Sequence, residues 1–228
     1  MKTLTLKDNA GSFDVTLYPS DAEYGIMLFA VGSGGSPARH EGLLSFLASA
    51  GHTVVAPHFE RLTSAHPSAS DLKVRARRLS LALDEFAPFG LPVAGVGHSI
   101  GASVLLGLAG GHMWLGPDKR VAIIPDSRLA RLVLLAPPTG FFMAPQALRS
   151  VRTPVLAWSG TKDALTPPDQ VNLLRHAMNV DTPLEVRVTE GAGHFSFMST
   201  PPPGSAEPLL DRQSFLDDLA RGIQTFLT

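Results

Sequence analysis

Leu91-Pro92-Val93-Ala94-Gly95-Val96-Gly97-His98-Ser99-Ile100-Gly101-Ala102-Ser103-Val104-Leu105-Leu106-Gly107-Leu108 changes character at its midpoint. Up to Val96 it is an apolar run of the kind that forms a buried strand. From Ala102 it is a run of small and aliphatic residues that reads as a buried helix. Between the two, Gly97-His98-Ser99-Ile100-Gly101 puts a serine on a strand-to-helix elbow. A turn that sharp forces strained backbone angles on the serine and leaves no room for side chains beside it, which is the work of the glycines. The serine oxygen is pushed out above the sheet. The amide of Ile100, at the N-terminus of the helix, is free to point at an oxyanion formed by attack on a carbonyl.

Outward from the elbow the same alternation repeats. Ile26 to Val31, Thr53 to Ala56, Leu132 to Ala136 and Val155 to Trp158 are nearly continuous apolar runs, as expected of strands covered on both faces. Between them Leu72, Ala76, Leu79, Leu83 and Phe86 mark the buried stripe of a helix. Ser36-Pro37 starts another helix that ends near Gly51, Thr166-Pro167-Pro168-Asp169 carries a similar start signal, and Phe215, Leu219, Ile223 and Phe226 stripe a closing helix. Lys2 to Lys7 and Ser12 to Tyr18 alternate and read as a hairpin at a sheet edge, while Leu184 to Thr189 alternates as an edge strand does. The pattern predicts a doubly wound, mostly parallel α/β sheet with an antiparallel N-terminal hairpin, one domain over residues 1–228.

Composition excludes several classes of function. The 228 residues are 44 % hydrophobic and 17 % charged, a globular balance, and a net charge of −1 gives no field favouring nucleic acid or an anionic membrane. The one basic run, Lys73-Val74-Arg75-Ala76-Arg77-Arg78, reads as a solvated helix face. The absence of cysteine removes disulfides, thiolate nucleophiles and cysteine-based zinc sites together. His40, His52, His66, His112 and His176 show no metal-ligand spacing, so neither a metal nor any other cofactor is expected. The N-terminus lacks the apolar core of a signal peptide and no long apolar run follows, so a cytoplasmic protein without a membrane partner is expected.

Ligands of an open parallel sheet bind beyond the carboxyl ends of its strands, and the residues after each apolar run are therefore the ones that matter. They include Gly32-Ser33-Gly34-Gly35-Ser36, His58, the Ser99 elbow, Pro137-Pro138-Thr139-Gly140, Ser159-Gly160-Thr161-Lys162-Asp163 and Gly191-Ala192-Gly193-His194. A serine hydroxyl needs a base to take its proton and an acid to orient that base. The edge after Ala136 offers no carboxylate, which leaves Asp163 as the acid. For the base, His194 follows the last strand in a glycine loop, and His58 is its rival.

In the order Ser, Asp, His, with each at a strand's carboxyl end, these residues resemble the α/β-hydrolase superfamily over essentially the whole chain. The GHSIG elbow, the GSGGS loop, the GTKD turn and the GAGHF loop carry the resemblance, and Leu132 to Phe197 is most similar to bacterial proteins called dienelactone hydrolase-like. The resemblance implies Ser99 as nucleophile, His194 as general base, Asp163 as its orienting acid, and the amides of Ile100 and Ser33 as oxyanion hole. It also implies hydrolysis of a carboxylic ester through an acyl-enzyme. Thioesters, lactones and amides need the same three residues. Dienelactone hydrolases proper use a cysteine nucleophile, so that activity is not carried over to this chain.

Pro137 to Thr153 is too short to hold a helical lid domain, which predicts an open site for a small-molecule ester. Phe141, Phe142, Met143 and Phe195, in loops at the same edge, are candidates to line an apolar acyl pocket, and His58 is a candidate for substrate contact. Two other functions are compatible with parts of the sequence. Gly95-Val96-Gly97-His98-Ser99-Ile100-Gly101 also reads as a glycine-rich dinucleotide loop, with Arg120 to Ile124 and Asp126 as a second strand and ribose-binding acid. The other is a catalytically silent binding protein on the same fold. The oligomeric state is not legible.

Overall fold

The computed structural model describes residues 1–22, 24–64, 66–87 and 90–228. In chain order its elements are β1 (Lys2–Asp8), β2 (Gly11–Tyr18), β3 (Gly25–Ala30), α1 (Glu41–Ser49), β4 (His52–Pro57), α2 (Ala69–Phe86), β5 (Val93–His98), α3 (Ile100–Leu108), β6 (Met113–Trp114), β7 (Arg120–Val121), β8 (Leu129–Leu135), β9 (Val155–Gly160), α4 (Asp169–Ala177), β10 (Leu184–Thr189) and α5 (Arg212–Leu227). Eight strands form one sheet in the order β1-β2-β4-β3-β5-β8-β9-β10. The pairs β1/β2 and β2/β4 are antiparallel, and every pair from β4 across to β10 is parallel.

The apolar runs occupy the centre because each has a helix on both sides. All six residues of β3, β5 and β9 are buried, whereas of the edge strands β1 exposes most of its residues and β10 fully buries none. One face packs Leu72, Leu79 and Leu83 of α2, the aliphatic side of α3, and Val171 and Leu174 of α4 against the sheet. The other packs Leu43, Leu44 and Leu47 of α1 with Phe215, Leu219 and Ile223 of α5. Each fully buried leucine of these stripes contributes roughly 1.5–3 kcal/mol through the area it removes from water.

Start and stop signals act largely as written. Ser36 caps the turn that Pro37 opens, a 3₁₀ turn over Pro37–His40 that leads into α1, and Gly51 ends the helix region with φ +104°. Ser68 and Asp71 form a reciprocal capping box on α2. Thr166, by contrast, does not cap α4: the residue before that helix is Pro168, with no side-chain cap. Its hydroxyl turns instead to Asp163, 2.6 Å away.

The basic run of α2 is a second correction. Lys73 and Arg77 are exposed, but Arg75 and Arg78 are buried. Arg78 pairs with Asp8 at 3.2 Å over the ring of Phe13, and Arg75 reaches main-chain carbonyls in the loops after β3 and β4. The dinucleotide reading also loses its second strand. Only Arg120–Val121 is extended, in a ribbon with Met113–Trp114 outside the main sheet, and Asp126 is bound by Arg128 at 2.6 Å.

Candidate active site

At the end of β5 the chain turns through Ser99, which adopts φ 54°, ψ −128°. For a residue with a side chain that conformation costs about 1–3 kcal/mol, and the surroundings must hold it. Part of the hold is the Ser99 amide, which donates to Leu135 O at 2.8 Å. The flanking glycines are sterically required: a Cβ on Gly97 would lie 2.7 Å from the amide nitrogen of Ala102, and one on Gly101 would overlap the carbonyl of Ala30. The elbow thus exists because β3, β5 and the first turn of α3 meet without side chains between them.

The turn after β9 and the loop after β10 bring two more groups to the same edge. Asp163, 3 % exposed, accepts from the amides of Leu165 and Thr166 at 2.9 and 2.7 Å through Oδ1. Its Oδ2 accepts from the Thr166 hydroxyl at 2.6 Å and from His194 Nδ1–H at 2.9 Å. On the other side of the imidazole, Ser99 Oγ donates to His194 Nε2 at 3.0 Å. Burial pushes the Asp163 carboxyl upward, but the hydrogen bond and charge of His194 and the donors of Thr166 outweigh it and hold the group below the ordinary aspartate value. An ionised carboxylate fixes the His194 tautomer with the proton on Nδ1 and the lone pair of Nε2 on Ser99.

Behind His194 the rings continue into the core. His98 packs against it with centroids 4.9 Å apart and planes tilted by 51°, and donates from Nε2 to the His194 carbonyl at 2.9 Å. His40 packs at a tilt against His98 at 5.0 Å and against Phe29 at 4.8 Å. Burial pushes His40 down to about 3, and burial together with the neighbouring imidazoles holds His98 well below the usual histidine range. Both are therefore neutral packing groups that support the His194 loop from beneath. Among the described residues no cluster of three or more His, Cys, Asp or Glu side chains is gathered as a metal site.

A cavity of about 410 Å³ opens above Ser99 and His194. Gly32, Ser33, Arg39, Arg61, Leu62, Phe195 and Met198 contribute to its wall, with no carboxylate among the described residues that line it. The amides of Ile100 and Ser33, at the helix terminus and in the β3 loop, donate to no other described residue. Among the sequence candidates for the acyl pocket, Phe195 lines this cavity and packs edge-on against His194 at 5.2 Å.

The other pocket candidates lie elsewhere. Thr139 is anchored to Gln170 of α4 through its amide and hydroxyl at 2.7 and 2.6 Å. Phe142 is buried in the core beside α3, Phe141 packs against that core, and Met143 faces a separate depression with Trp114. His58 bonds to the Thr16 hydroxyl at 2.8 Å, on the side of the sheet's antiparallel hairpin, and does not line the cavity. The sequence reading did not find Thr166, Arg75 or His40. For Arg75 a signal was present, since it falls on the stripe of Leu72, Ala76 and Leu79. For Thr166 there was none beyond its nearness to Asp163.

No model of a known protein family matches the sequence, and no curated protein matches it. Solved structures do. A dienelactone hydrolase from Anabaena variabilis is 20 % identical over 98 % of this chain and 94 % of its own, with a TM-score of 0.68. A serine hydrolase without a lid from Xanthomonas campestris is 20 % identical over 98 % and 92 %, TM-score 0.63. A thermophilic esterase from Thermogutta terrifontis is 17 % identical over 97 % and 92 %, TM-score 0.67. At these identities the likeness establishes the fold: this chain has the α/β-hydrolase fold. Between β8 and β9 it carries the 3₁₀ turn Thr139–Phe142 and, among the described residues, no α-helix that would make a lid.

Proposed function

We propose that the protein is a serine hydrolase cleaving a small carboxylic ester through an acyl-enzyme on Ser99. The observation that carries this is the hydrogen-bonded line from Ser99 Oγ through His194 to Asp163, at 3.0 and 2.9 Å, at the floor of a cavity. As Ser99 Oγ attacks the carbonyl carbon, its proton passes to His194 Nε2, and the imidazolium is stabilised by Asp163. The amides of Ile100 and Ser33 receive the oxyanion. Collapse of the tetrahedral intermediate expels the alcohol, which takes the proton from His194. Water then repeats the sequence with His194 as base and frees the acid.

That the structural neighbours include proteins titled as esterases and as serine hydrolases supports the assignment. A hydroxyl nucleophile in place of a thiol favours ordinary esters over the dienelactone named for the Anabaena protein. The volume suits a small substrate. Arg39 and Arg61, beside a cavity with no carboxylate among its described lining residues, favour one that carries a negative charge near its acyl bond.

A fluorophosphonate probe tests the proposal directly. It is expected to label the wild type at Ser99 and to leave Ser99→Ala unlabelled, and that variant should hydrolyse p-nitrophenyl acetate at least about a thousandfold more slowly. A wild type that stays unlabelled overturns the reading and favours a silent binding protein. A series of chromogenic esters and thioesters of increasing acyl length, with and without a terminal carboxylate, then assigns the substrate class.

A further inference from the structure

Arg75 enters the core from α2 between Leu72 and Leu79 and is 3 % exposed. A guanidinium withdrawn from water must place its donors on partners, because an unsatisfied buried charge is costly. These partners are all main-chain carbonyls. Nη1 donates to Val31 O at 3.2 Å and to Gly32 O at 3.1 Å, and Nη2 donates to Glu60 O at 3.0 Å. The ring of Phe59 lies 4.8 Å beneath its Cζ. Asp71, one turn earlier on α2, attracts it from a distance, but its Oδ2 is engaged by the amide and hydroxyl of Ser68. Burial lowers the Arg75 value to about 10, which leaves it fully cationic at neutral pH.

The carbonyls it holds belong to the two loops that wall the cavity. At Gly32 the β3 loop passes close to the elbow, since a Cβ there would lie 3.3 Å from the Cβ of Ser99. Its carbonyl also accepts from the Gly35 amide at 3.2 Å, closing a turn. The second loop is laced to this turn by Leu62 N–H on Ser33 O and Phe59 N–H on Gly35 O, both at 2.8 Å. Gly32 C=O and Ser33 N–H are two ends of one planar trans peptide and point in opposite directions. Holding the carbonyl against α2 therefore turns the amide away from α2. A hydrogen bond from a cation to the carbonyl also polarises the peptide and makes its N–H a stronger donor.

We propose that Arg75 is a positioning residue for the oxyanion site: its buried guanidinium fixes and polarises the Gly32–Ser33 peptide so that the Ser33 amide is set to receive the tetrahedral intermediate. This rests on the serine hydrolase reading. It supplies a full positive charge one peptide behind the oxyanion, fixed before substrate arrives, so that no reorganisation is needed as charge develops.

The test uses full-length Arg75→Met and Arg75→Lys, with circular dichroism and thermal unfolding to establish that each folds. With p-nitrophenyl acetate, Arg75→Met is expected to lose about tenfold to a hundredfold in kcat, less than the loss of a whole oxyanion donor. KM should stay within about twofold. The Ki of an alkyl trifluoromethyl ketone, whose adduct on Ser99 carries the oxyanion, should rise by the same factor as kcat falls, while the Ki of the matching methyl carbinol, which forms no adduct, stays put. Arg75→Lys keeps the cation but not the fork, and should fall between the two. A folded Arg75→Met with wild-type kcat and ketone Ki overturns the proposal, and so does a loss carried wholly by KM. Failure of both variants to fold overturns it as well, by making Arg75 a core residue alone. A wild type that neither hydrolyses the ester nor labels at Ser99 removes the serine hydrolase reading itself, whereas an active wild type with an indifferent Arg75→Met removes only this inference.

Discussion

Asp163 shows how much one side chain depends on what the sequence hides. Its place after a strand made it legible as the candidate acid, and the same logic singled out Ser99 and His194 as candidates, because each needs only a strand end and a short loop. What fixes the carboxylate is Thr166, which gives it both an amide and a hydroxyl. A threonine before two prolines reads as a helix start, since local rules weigh capping and not a partner brought close by the fold. Asp163→Asn keeps the shape but reverses the donor pattern toward His194, and kcat is expected to drop on the order of ten-thousandfold. The same variant has a signature in stability. The native carboxyl sits below its unfolded value of about 3.9, so its contribution is present above that value and lost as pH falls through the depressed one. Thermal unfolding of wild type and Asp163→Asn should therefore differ at neutral pH and converge in acid; a gap that stays constant down to pH ~2 contradicts the assignment.

Among the elements, α5 and α2 do more for the site than their distance in sequence suggests. The stripe of α5 was legible as an apolar face, but not what it would touch. Phe215 packs edge-on against Phe197 and Trp158, with centroids 5.3 and 6.2 Å away. Phe197 lies in the His194 loop, and Arg212 of α5 donates to the Met198 carbonyl in the same loop. The loop is closed by Ser196, which receives the Gly193 amide at 2.8 Å and donates to Glu207 at 2.6 Å. Phe215→Ala is expected to cost about 3–5 kcal/mol in urea unfolding, as removal of a buried aromatic does. It should also lower kcat at temperatures where the protein is still folded, by releasing the His194 loop. Unchanged kcat in a destabilised variant would separate α5 from the site. In α2 the failure had the opposite sense, because a run of basic residues reads as surface from charge alone. The helical period already placed Arg75 on the buried stripe, and period is the stronger signal whenever the two conflict.

For the molecule as a whole, the order of layers was legible because hydrophobic period and loop chemistry agree along most of the chain, which is what specifies a doubly wound sheet. The core's polar content was not. Sequence treats histidines one at a time, and the fold lines up His40, His98 and His194 in a file of tilted rings from the core to the candidate active site. That file makes folding stability respond to acid. His40 is held neutral down to about 3 in the folded state, whereas in the unfolded chain a histidine takes up a proton near 6.5. Below that pH the unfolded state binds a proton that the native state refuses, so stability falls as pH falls, by about 1.4 kcal/mol per pH unit for each such group. His98, also held well below the usual range, adds a second contribution of the same sign. The effect vanishes above pH ~6.5, where both states are neutral at these positions. His40→Phe keeps a ring between Phe29 and His98 but cannot titrate. Whatever it does to stability at pH 8, the slope of its unfolding free energy between pH ~6 and ~4.5 should be shallower than the wild type's by about 1.4 kcal/mol per pH unit. Urea titrations across that range measure both slopes. Parallel lines would mean that His40 takes up a proton in the folded protein and would overturn the reading of a ring held neutral by burial.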